Sequence, residues 1–200
     1  HNYSQLLNNT TTNNTNMTTK MMKAVICTKY GPPEVLVHSD KVDKPVPKDD
    51  EVLIKIHATT VTASDALIRS ITNQNFLMRF LLQAVFGFGR PRNPILGMTL
   101  SGEIEHVGSR VTSFQPGDKV FAYGSTTSAT NTKFGSYAEY MCLPEDWNVL
   151  PKPNNMTHQQ AAAIPYGGFL ALYFIQKGIA MTTTAANNNN NNNKRQKTNS

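Results

Sequence analysis

The chain has 200 residues, two cysteines and a formal net charge of +6. Two cysteines are too few for a disulfide framework or a cysteine-rich zinc module, and they predict a reducing compartment. Four of the 19 basic residues lie in the tails, which leaves 15 basic against 13 acidic residues in the core. This near-neutral core argues against a nucleic-acid partner. No apolar run reaches 18 residues, so no membrane span is predicted.

The two ends of the chain have the composition of disordered segments. Residues 1–21 are mostly Asn and Thr, and 180–200 contains an unbroken asparagine run from Asn187 to Asn193. Such segments lack the apolar side chains that would offset the entropy of ordering. Residues 22–179 are therefore the predicted folding unit.

The first part of this unit reads as short strands separated by turns. KAVICT (23–28) is apolar and β-branched, and a Gly-Pro turn leads from it into EVLVH (34–38). The third strand shows alternation, the period of a half-buried strand. Its two predicted faces carry Val52, Ile54 and Ile56 inward and Leu53, Lys55 and His57 outward.

Two helical segments follow the third strand. TASDALIRS (62–70) predicts a short helix. Residues 75–89 are apolar around the whole helix axis except at Arg79 and Gln83. We interpret this second segment as a buried helix or loop packed on the strands, and the alternative is a lid over an apolar substrate.

Further strands are predicted after residue 98. TLSGEIEHVG (99–108) is one, with His106 facing outward, and Pro116-Gly117 suits a type II turn before a strand that begins near Lys119. FGSYAEYMCLPEDWNVLPKP (134–153) predicts one or two more, with Trp147 in the core. Closely spaced strands without repeated helical crossovers indicate a small barrel or sandwich.

The last predicted element is apolar and helical. Thr157 and Gln160 form the pattern of a capping box. Pro165 and the pair Gly167-Gly168 are expected to break the helix in two, and Gly178 is expected to end it.

Five segments in order resemble the N-terminal catalytic domain of the medium-chain dehydrogenase/reductases, in their zinc-independent quinone oxidoreductase branch. They are MKAVICTKYGPPEVL, EVLIKIHATTVTASDALIRS, GMTLSGEIEHVGSRVTSFQPGDKVFAY, GSYAEYMCLPED and AAAIPYGGFLALYF. The most specific positions are Val107-Gly108, Val111, Phe114, Gly117-Asp118 and Val120.

The resemblance implies a mainly β fold with a few helices. Residues 22–156 would form a GroES-like barrel, the catalytic half of a two-domain protein. Residues 157–179 would be connecting helices that lead to a Rossmann domain not present in the given chain, with the substrate in the cleft between the two domains.

The zinc-dependent relatives place ligands where this chain has none. They carry cysteine at the position of Thr62 and a His-Glu pair at Met98 and Thr99. A catalytic zinc requires three Cys, His or carboxylate ligands. The resemblance therefore implies no zinc, with hydrogen-bond donors stabilising negative charge instead. A zinc alcohol dehydrogenase with displaced ligands is a further hypothesis.

The resemblance also suggests site residues. Thr62 and Ser64 would act in catalysis together with Asp65, which orients them or caps the short helix. The candidate cofactor-binding residues are Thr62, Tyr166 and Gly168, and the candidate substrate-binding residues are Arg69 and Tyr123.

The chain lacks the glycine-rich turn that holds a dinucleotide. No G-x-G-x-x-G motif follows a predicted strand, and GFGRPRNPILG contributes only Gly87 and Gly89. Either a Rossmann half follows residue 200, with the asparagine run as an insertion, or the protein cannot hold NADPH as the family does.

These features predict the catalytic-domain portion of an NADPH-dependent oxidoreductase, inactive on its own, that reduces quinones, enones or aldehydes by hydride transfer. The alternative is a non-catalytic GroES-like binding or scaffold module whose Asn-rich tails self-associate. The expected location is the cytoplasm, and a mitochondrial location and a homodimer are left open.

Overall fold

Nine strands and three α-helices make up the part of the chain that the computed structural model describes, residues 20–124, 126–128 and 131–197. The strands are β1 (Met21–Cys27), β2 (Leu36–Asp43), β3 (Glu51–Thr59), β4 (Thr99–Val107), β5 (Lys119–Tyr123), β6 (Thr126–Ser128), β7 (Asn131–Thr132), β8 (Tyr140–Pro144) and β9 (Val149–Pro151). The helices are α1 (Ala63–Arg69), α2 (Phe76–Phe86) and α3 (His158–Lys197), with short 3-10 turns at Pro33–Val35 and Ile71–Asn73. The predicted mainly β fold is confirmed.

The centre of the fold is a five-stranded antiparallel sheet in the order β8, β3, β4, β5, β9. β1 pairs with β2, and β6 pairs with β7, in two separate two-stranded sheets. The main core lies on one face of the central sheet and consists of Val52, Ile54, Leu100, Ile104, Val120, Ala122, Met141, Leu143 and Val149. Trp147 packs against this core while remaining partly exposed.

The alternation predicted for β3 holds only in its second half. His57 is exposed, as predicted, but Leu53 is buried. Leu53 lies in a strand that pairs with a neighbour on each side, and the first half of β3 is covered on both faces. The prediction that Leu53 faces outward is therefore wrong.

Two predicted turns and caps are confirmed. Gly117 has a φ of 94°, as the third residue of a type II turn requires, and β5 begins at Lys119. The Thr157 hydroxyl accepts a hydrogen bond from the Gln160 N–H at 3.2 Å, and the Gln160 side chain accepts one from the Thr157 N–H at 2.9 Å. This is the reciprocal capping box expected at the start of α3.

α3 differs from its prediction because it is one continuous helix. Pro165 lies inside it, fully buried, and the helix also passes through Gly178. Proline removes a single backbone donor, and burial of its ring where the first turns pack on the central sheet offsets that loss. The predictions of a break and of an end at Gly178 are wrong.

The backbone of α3 also runs to Lys197, through most of the 180–200 segment predicted to be disordered. The domain boundaries stay a prediction, and the predicted disordered tail at residues 1–21 lies almost wholly outside the described residues. Among the described helices, none combines the length and the apolar character that crossing a bilayer demands.

α2 differs from its prediction because half of it projects from the fold. Residues 76–81 are all exposed, and among the residues of this helix only Gln83 is buried. The second half is attached through Phe86, whose ring stacks on Phe134 at 5.8 Å. The prediction of a buried helix is wrong, since the apolar side chains of the first turns find no neighbouring element to pack against.

Candidate active site

The start of α1 is held by a reciprocal pair of side chains. Thr62 precedes the helix, and its hydroxyl accepts a hydrogen bond from the Asp65 N–H at 3.3 Å. In return, the Thr62 N–H and hydroxyl both donate to Asp65 Oδ2, at 2.8 and 2.7 Å. The single hydroxyl proton of Thr62 is therefore committed to Asp65 and is not available to a ligand.

The second carboxylate oxygen of Asp65 has no such partner. Asp65 is only 3% exposed, and neither its Oδ1 nor the hydroxyl of Tyr137 has a hydrogen-bond partner of normal geometry. Burial raises the pKa of Tyr137, and the negative charge of Asp65 raises it further. The phenol therefore stays protonated, and it lies close enough to Asp65 for the two groups to interact with each other.

Ser64 and Tyr166 join α1 to α3. Their hydroxyl oxygens lie 3.0 Å apart at an exposed position, although the residues are 102 positions apart in sequence. One hydroxyl donates to the other, so the pair keeps one O–H for a ligand. Among the candidate residues, this pair is the most accessible hydrogen-bond donor.

Tyr123 lies at the end of β5 and belongs to the same cluster. Burial raises the pKa of its phenol, and the charges of Tyr166 and Asp65 raise it as well. The structure thus brings together most of the candidate residues named from the sequence, which are Thr62, Ser64, Asp65, Tyr123 and Tyr166. Sequence reasoning missed Tyr137, although it stands in the GSYAEY segment that carried the resemblance.

Two candidate residues stand apart from these contacts. Arg69 Nη1 donates to the Gly31 carbonyl at 2.5 Å, and the Gly31 N–H donates back to the Arg69 carbonyl at 2.9 Å. Its guanidinium therefore supports a turn, and its role with substrate stays a prediction. Gly168 is exposed on α3, where an added Cβ would lie 3.0 Å from Ile164 Cγ2.

The positions that carry zinc ligands in some relatives are engaged in other contacts. The Thr62 hydroxyl is bonded to Asp65, Met98 is buried in the smaller core cluster, and the fully buried Thr99 shares a short hydrogen bond with the Thr60 hydroxyl. Hydroxyl and thioether groups do not fit a catalytic zinc. No group of three or more His, Cys, Asp or Glu side chains suited to a metal occurs among the described residues.

Among the cavities of the described surface, two bear on the location of the site. One, of about 250 Å³, is lined in part by Thr59, Ser136 and Tyr137, so it reaches the candidate cluster through Tyr137. The other, of about 590 Å³, is lined in part by Lys133 and Cys142 and lies elsewhere. The first cavity is therefore the one that adjoins the polar groups described above.

Comparison with known proteins gives a family match and matches to named oxidoreductases. Residues 48–154 match the family described as alcohol dehydrogenase GroES-like domain. The quinone oxidoreductase of Sus scrofa is 38% identical over 149 residues, and the mitochondrial NAD(P)H oxidoreductase RTN4IP1 of Dictyostelium discoideum is 33% identical over 152 residues. The matches cover 74% and 75% of this chain, which spans about 39% of the length of each relative.

Solved structures show the same likeness. The quinone oxidoreductase from Coxiella burnetii matches with a TM-score of 0.63 and 30% identity, over 79% of this chain and 45% of that one. A mycobacterial protein, Rv1454c, solved as a complex with NADPH, matches with a TM-score of 0.59 and 27% identity, over 77% of this chain and 40% of that one. The predicted GroES-like fold is confirmed.

Proposed function

The chain belongs to the alcohol dehydrogenase GroES-like domain family, in the quinone oxidoreductase-like branch of the medium-chain dehydrogenase/reductases, and on this basis we propose that it is the catalytic-domain portion of an NAD(P)H-dependent oxidoreductase. The proposed substrates are quinones, α,β-unsaturated carbonyls or aldehydes. The observation that carries the proposal is the exposed hydroxyl pair of Ser64 and Tyr166 beside the buried Asp65.

The hydroxyl pair is suited to stabilise an oxygen on which negative charge develops. Ser64 and Tyr166 share one internal hydrogen bond and retain one O–H between them. A donor held in place before the reaction stabilises such charge more than water does, because it needs no reorientation. We assign this pair the role of donor to the carbonyl or quinone oxygen.

The groups around the pair position it and add a second donor. Asp65 and Thr62 fix the start of α1, and so the location of Ser64, through the three hydrogen bonds of the capping box. A tyrosine phenol is protonated at neutral pH, and burial raises the pKa of Tyr123 further. We therefore assign Thr62 and Asp65 a positioning role and Tyr123 a contact with substrate.

A bound nicotinamide nucleotide would supply the hydride. Thr62, Tyr166 and Gly168 are the residues of this chain proposed to hold it, with Thr62 as an acceptor only because its hydroxyl proton is donated to Asp65, and NADPH is the proposed form. Exposure of Tyr166 and Gly168 on α3 is compatible with such a contact. Arg69 Nη1 is engaged with the Gly31 carbonyl, so the remaining N–H groups of Arg69 are the ones proposed to contact substrate.

We propose that the reaction proceeds without zinc. The support is the chemistry of the three side chains at the ligand positions. Thr62 is bonded to Asp65, and the buried Met98 and Thr99 offer only a thioether and a hydroxyl. These are poor ligands for catalytic zinc. Hydrogen-bond donors then take the place of a Lewis acid at the reacting oxygen.

The test is turnover by the longest gene product that contains this chain. It should oxidise NADPH in the presence of a quinone or an enone, and a chelator should not slow it. Ser64→Ala and Tyr166→Phe should each lower kcat about tenfold to a hundredfold, because the remaining hydroxyl loses the hydrogen bond that holds it in place. The matched controls are Ser109→Ala, which removes a hydroxyl bonded to Asp49, and Tyr173→Phe, which removes one seven residues further along α3.

Two results would contradict the proposal. Unchanged kcat in both Ser64→Ala and Tyr166→Phe would contradict the role assigned to the hydroxyl pair. Loss of activity on chelation would contradict a reaction without zinc. Absence of turnover with every nicotinamide nucleotide and acceptor would favour the alternative of a non-catalytic binding or scaffold module.

A further inference from the structure

The first half of α2 presents large apolar side chains that no element of the described residues covers. We call residues 76–81 together with Phe88 the α2 tip. Phe76 is 85% exposed, and each of the other apolar members is at least 45% exposed. These members are Leu77, Met78, Phe80, Leu81 and Phe88.

The apolar side chains of the tip cover a wide sector of the helix and not a narrow stripe. Successive residues of an α-helix are about 100° apart, so the apolar positions from Phe76 to Leu81 occupy about 200° of the circumference, with Arg79 in the remainder. A helix that binds a groove or another helix needs only a stripe. A tip that is apolar over this much of its surface is better suited to insertion into an apolar phase that contacts it on several sides.

The tip carries positive charge and lies in a segment that contains no negative charge. Residues 66–102 include four arginines and neither Asp nor Glu. Arg79 is exposed on the tip itself. The ring of Phe88 lies 5.9 Å from that of Phe80, edge to face, and the exposed Arg90 follows Phe88 by two residues.

The base of α2 is firmly held, so the tip projects from a fixed support. Arg92 donates hydrogen bonds to the Ala84 and Val85 carbonyls near the end of the helix, at 2.9 and 3.1 Å. The Tyr30 hydroxyl donates to the Gly87 carbonyl at 2.8 Å. The described contacts of the helix thus concentrate at its C-terminal end, and the tip makes few.

We propose that the α2 tip inserts shallowly into the headgroup region of an anionic lipid bilayer. Apolar and aromatic side chains would enter the boundary of the acyl chains, while Arg79 and Arg90 contact lipid phosphates. A helix of 11 residues is too short to cross the bilayer, so the association is peripheral. The proposal is independent of the reaction proposed above, and its test needs no turnover.

The test is co-sedimentation of the full chain with phosphatidylcholine vesicles, with and without phosphatidylserine. Binding should occur with phosphatidylserine and weaken as salt is raised. Leu77→Ser and Phe80→Ser should each weaken it by at least about tenfold, and Arg79→Gln and Arg90→Gln by about fivefold each. Phe174→Ser on α3, where Phe174 is 63% exposed against 52% for Phe80, is the matched control and should bind as the parent does.

Several outcomes would overturn the proposal. Insertion of the tip into an anionic bilayer is contradicted if the parent chain binds neither kind of vesicle, if it binds both kinds equally, or if Phe80→Ser binds as strongly as the parent. If the parent self-associates by sedimentation velocity and Phe80→Ser abolishes this without affecting vesicle binding, the tip is an interface with a second copy instead. Circular dichroism spectra of each variant that match the parent ensure that lost binding does not reflect unfolding.

Discussion

The imidazole rings of His57 and His158 stack with their centroids 4.6 Å apart and their planes 15° from parallel. This contact joins β3 to the first residue of α3, and the Ser101 hydroxyl lies 2.8 Å from His158 Nδ1. Burial lowers the pKa of His158, and the charges of His57, Lys152 and Lys119 lower it further.

Acidification should therefore weaken the fold through this pair. A folded-state pKa below the ordinary 6.5 means that the unfolded chain binds the proton more readily. The stabilisation is complete above about pH 6.5 and is lost as the pH falls towards the folded pKa. The melting temperature of the parent should fall more between about pH 7 and pH 5 than that of His158→Gln. His106→Gln, at an exposed position, is the control, and identical slopes in parent and His158→Gln would contradict the assignment.

Removal of the cap on α1 should destabilise the protein. Thr62→Ala deletes a hydroxyl that both accepts from the Asp65 N–H and donates to its buried carboxylate. The expected loss in the free energy of unfolding is about 1–2 kcal/mol, measured by urea denaturation. Thr62→Ser keeps the hydroxyl and should recover most of it. Equal stability of the alanine and serine variants would show that the cap contributes little.

Both thiols should react slowly in the folded protein. Burial and the neighbouring Glu51 raise the pKa of Cys142 to about 12, and burial raises that of Cys27. The thiolate is the reactive species, so alkylation by iodoacetamide near pH 8 should be at least about a hundredfold slower than in urea. Mass spectrometry of peptides resolves the two sites. Rapid labelling of Cys142 without denaturant would contradict its placement.

The ion pair between Glu51 and Lys133 should contribute more than a surface pair. The two groups meet at 2.8 Å, and the Glu51 side chain is only 5% exposed. Lys133→Met leaves a buried carboxylate without its cation and should cost about 1–3 kcal/mol. Glu105→Gln breaks the pair with Lys44 at a carboxylate that is 40% exposed, leaves the Lys44 ammonium over the Tyr140 ring, and should cost less than about 1 kcal/mol. Equal losses in urea denaturation would contradict the difference in burial.

Local features of the fold could be predicted because they depend on short-range chemistry. The type II turn at Gly117 follows from a residue that tolerates positive φ, and the capping box at Thr157 follows from side chains three residues apart. The short helix predicted over 62–70 is α1. In each case the residues that determine the structure are neighbours in sequence.

The candidate site could be predicted only in part because it depends on contacts between distant segments. Residue identity and the family resemblance pointed to Ser64 and Tyr166, yet their hydrogen bond joins two helices separated by most of the domain. Nothing in the local pattern placed Tyr137 beside Asp65. The errors at α2 and α3 have the same origin, because whether an apolar helix is buried depends on which element covers it.

The described side chains of α3 beyond Tyr166 contribute little to the core. Leu170, Tyr173 and Phe174 are each more than half exposed, whereas Ala161, Ala162 and Pro165 are buried. The folding free energy of the barrel therefore depends little on which residues occupy the part of α3 beyond Tyr166. Substitutions along that stretch should therefore change the stability of the barrel little.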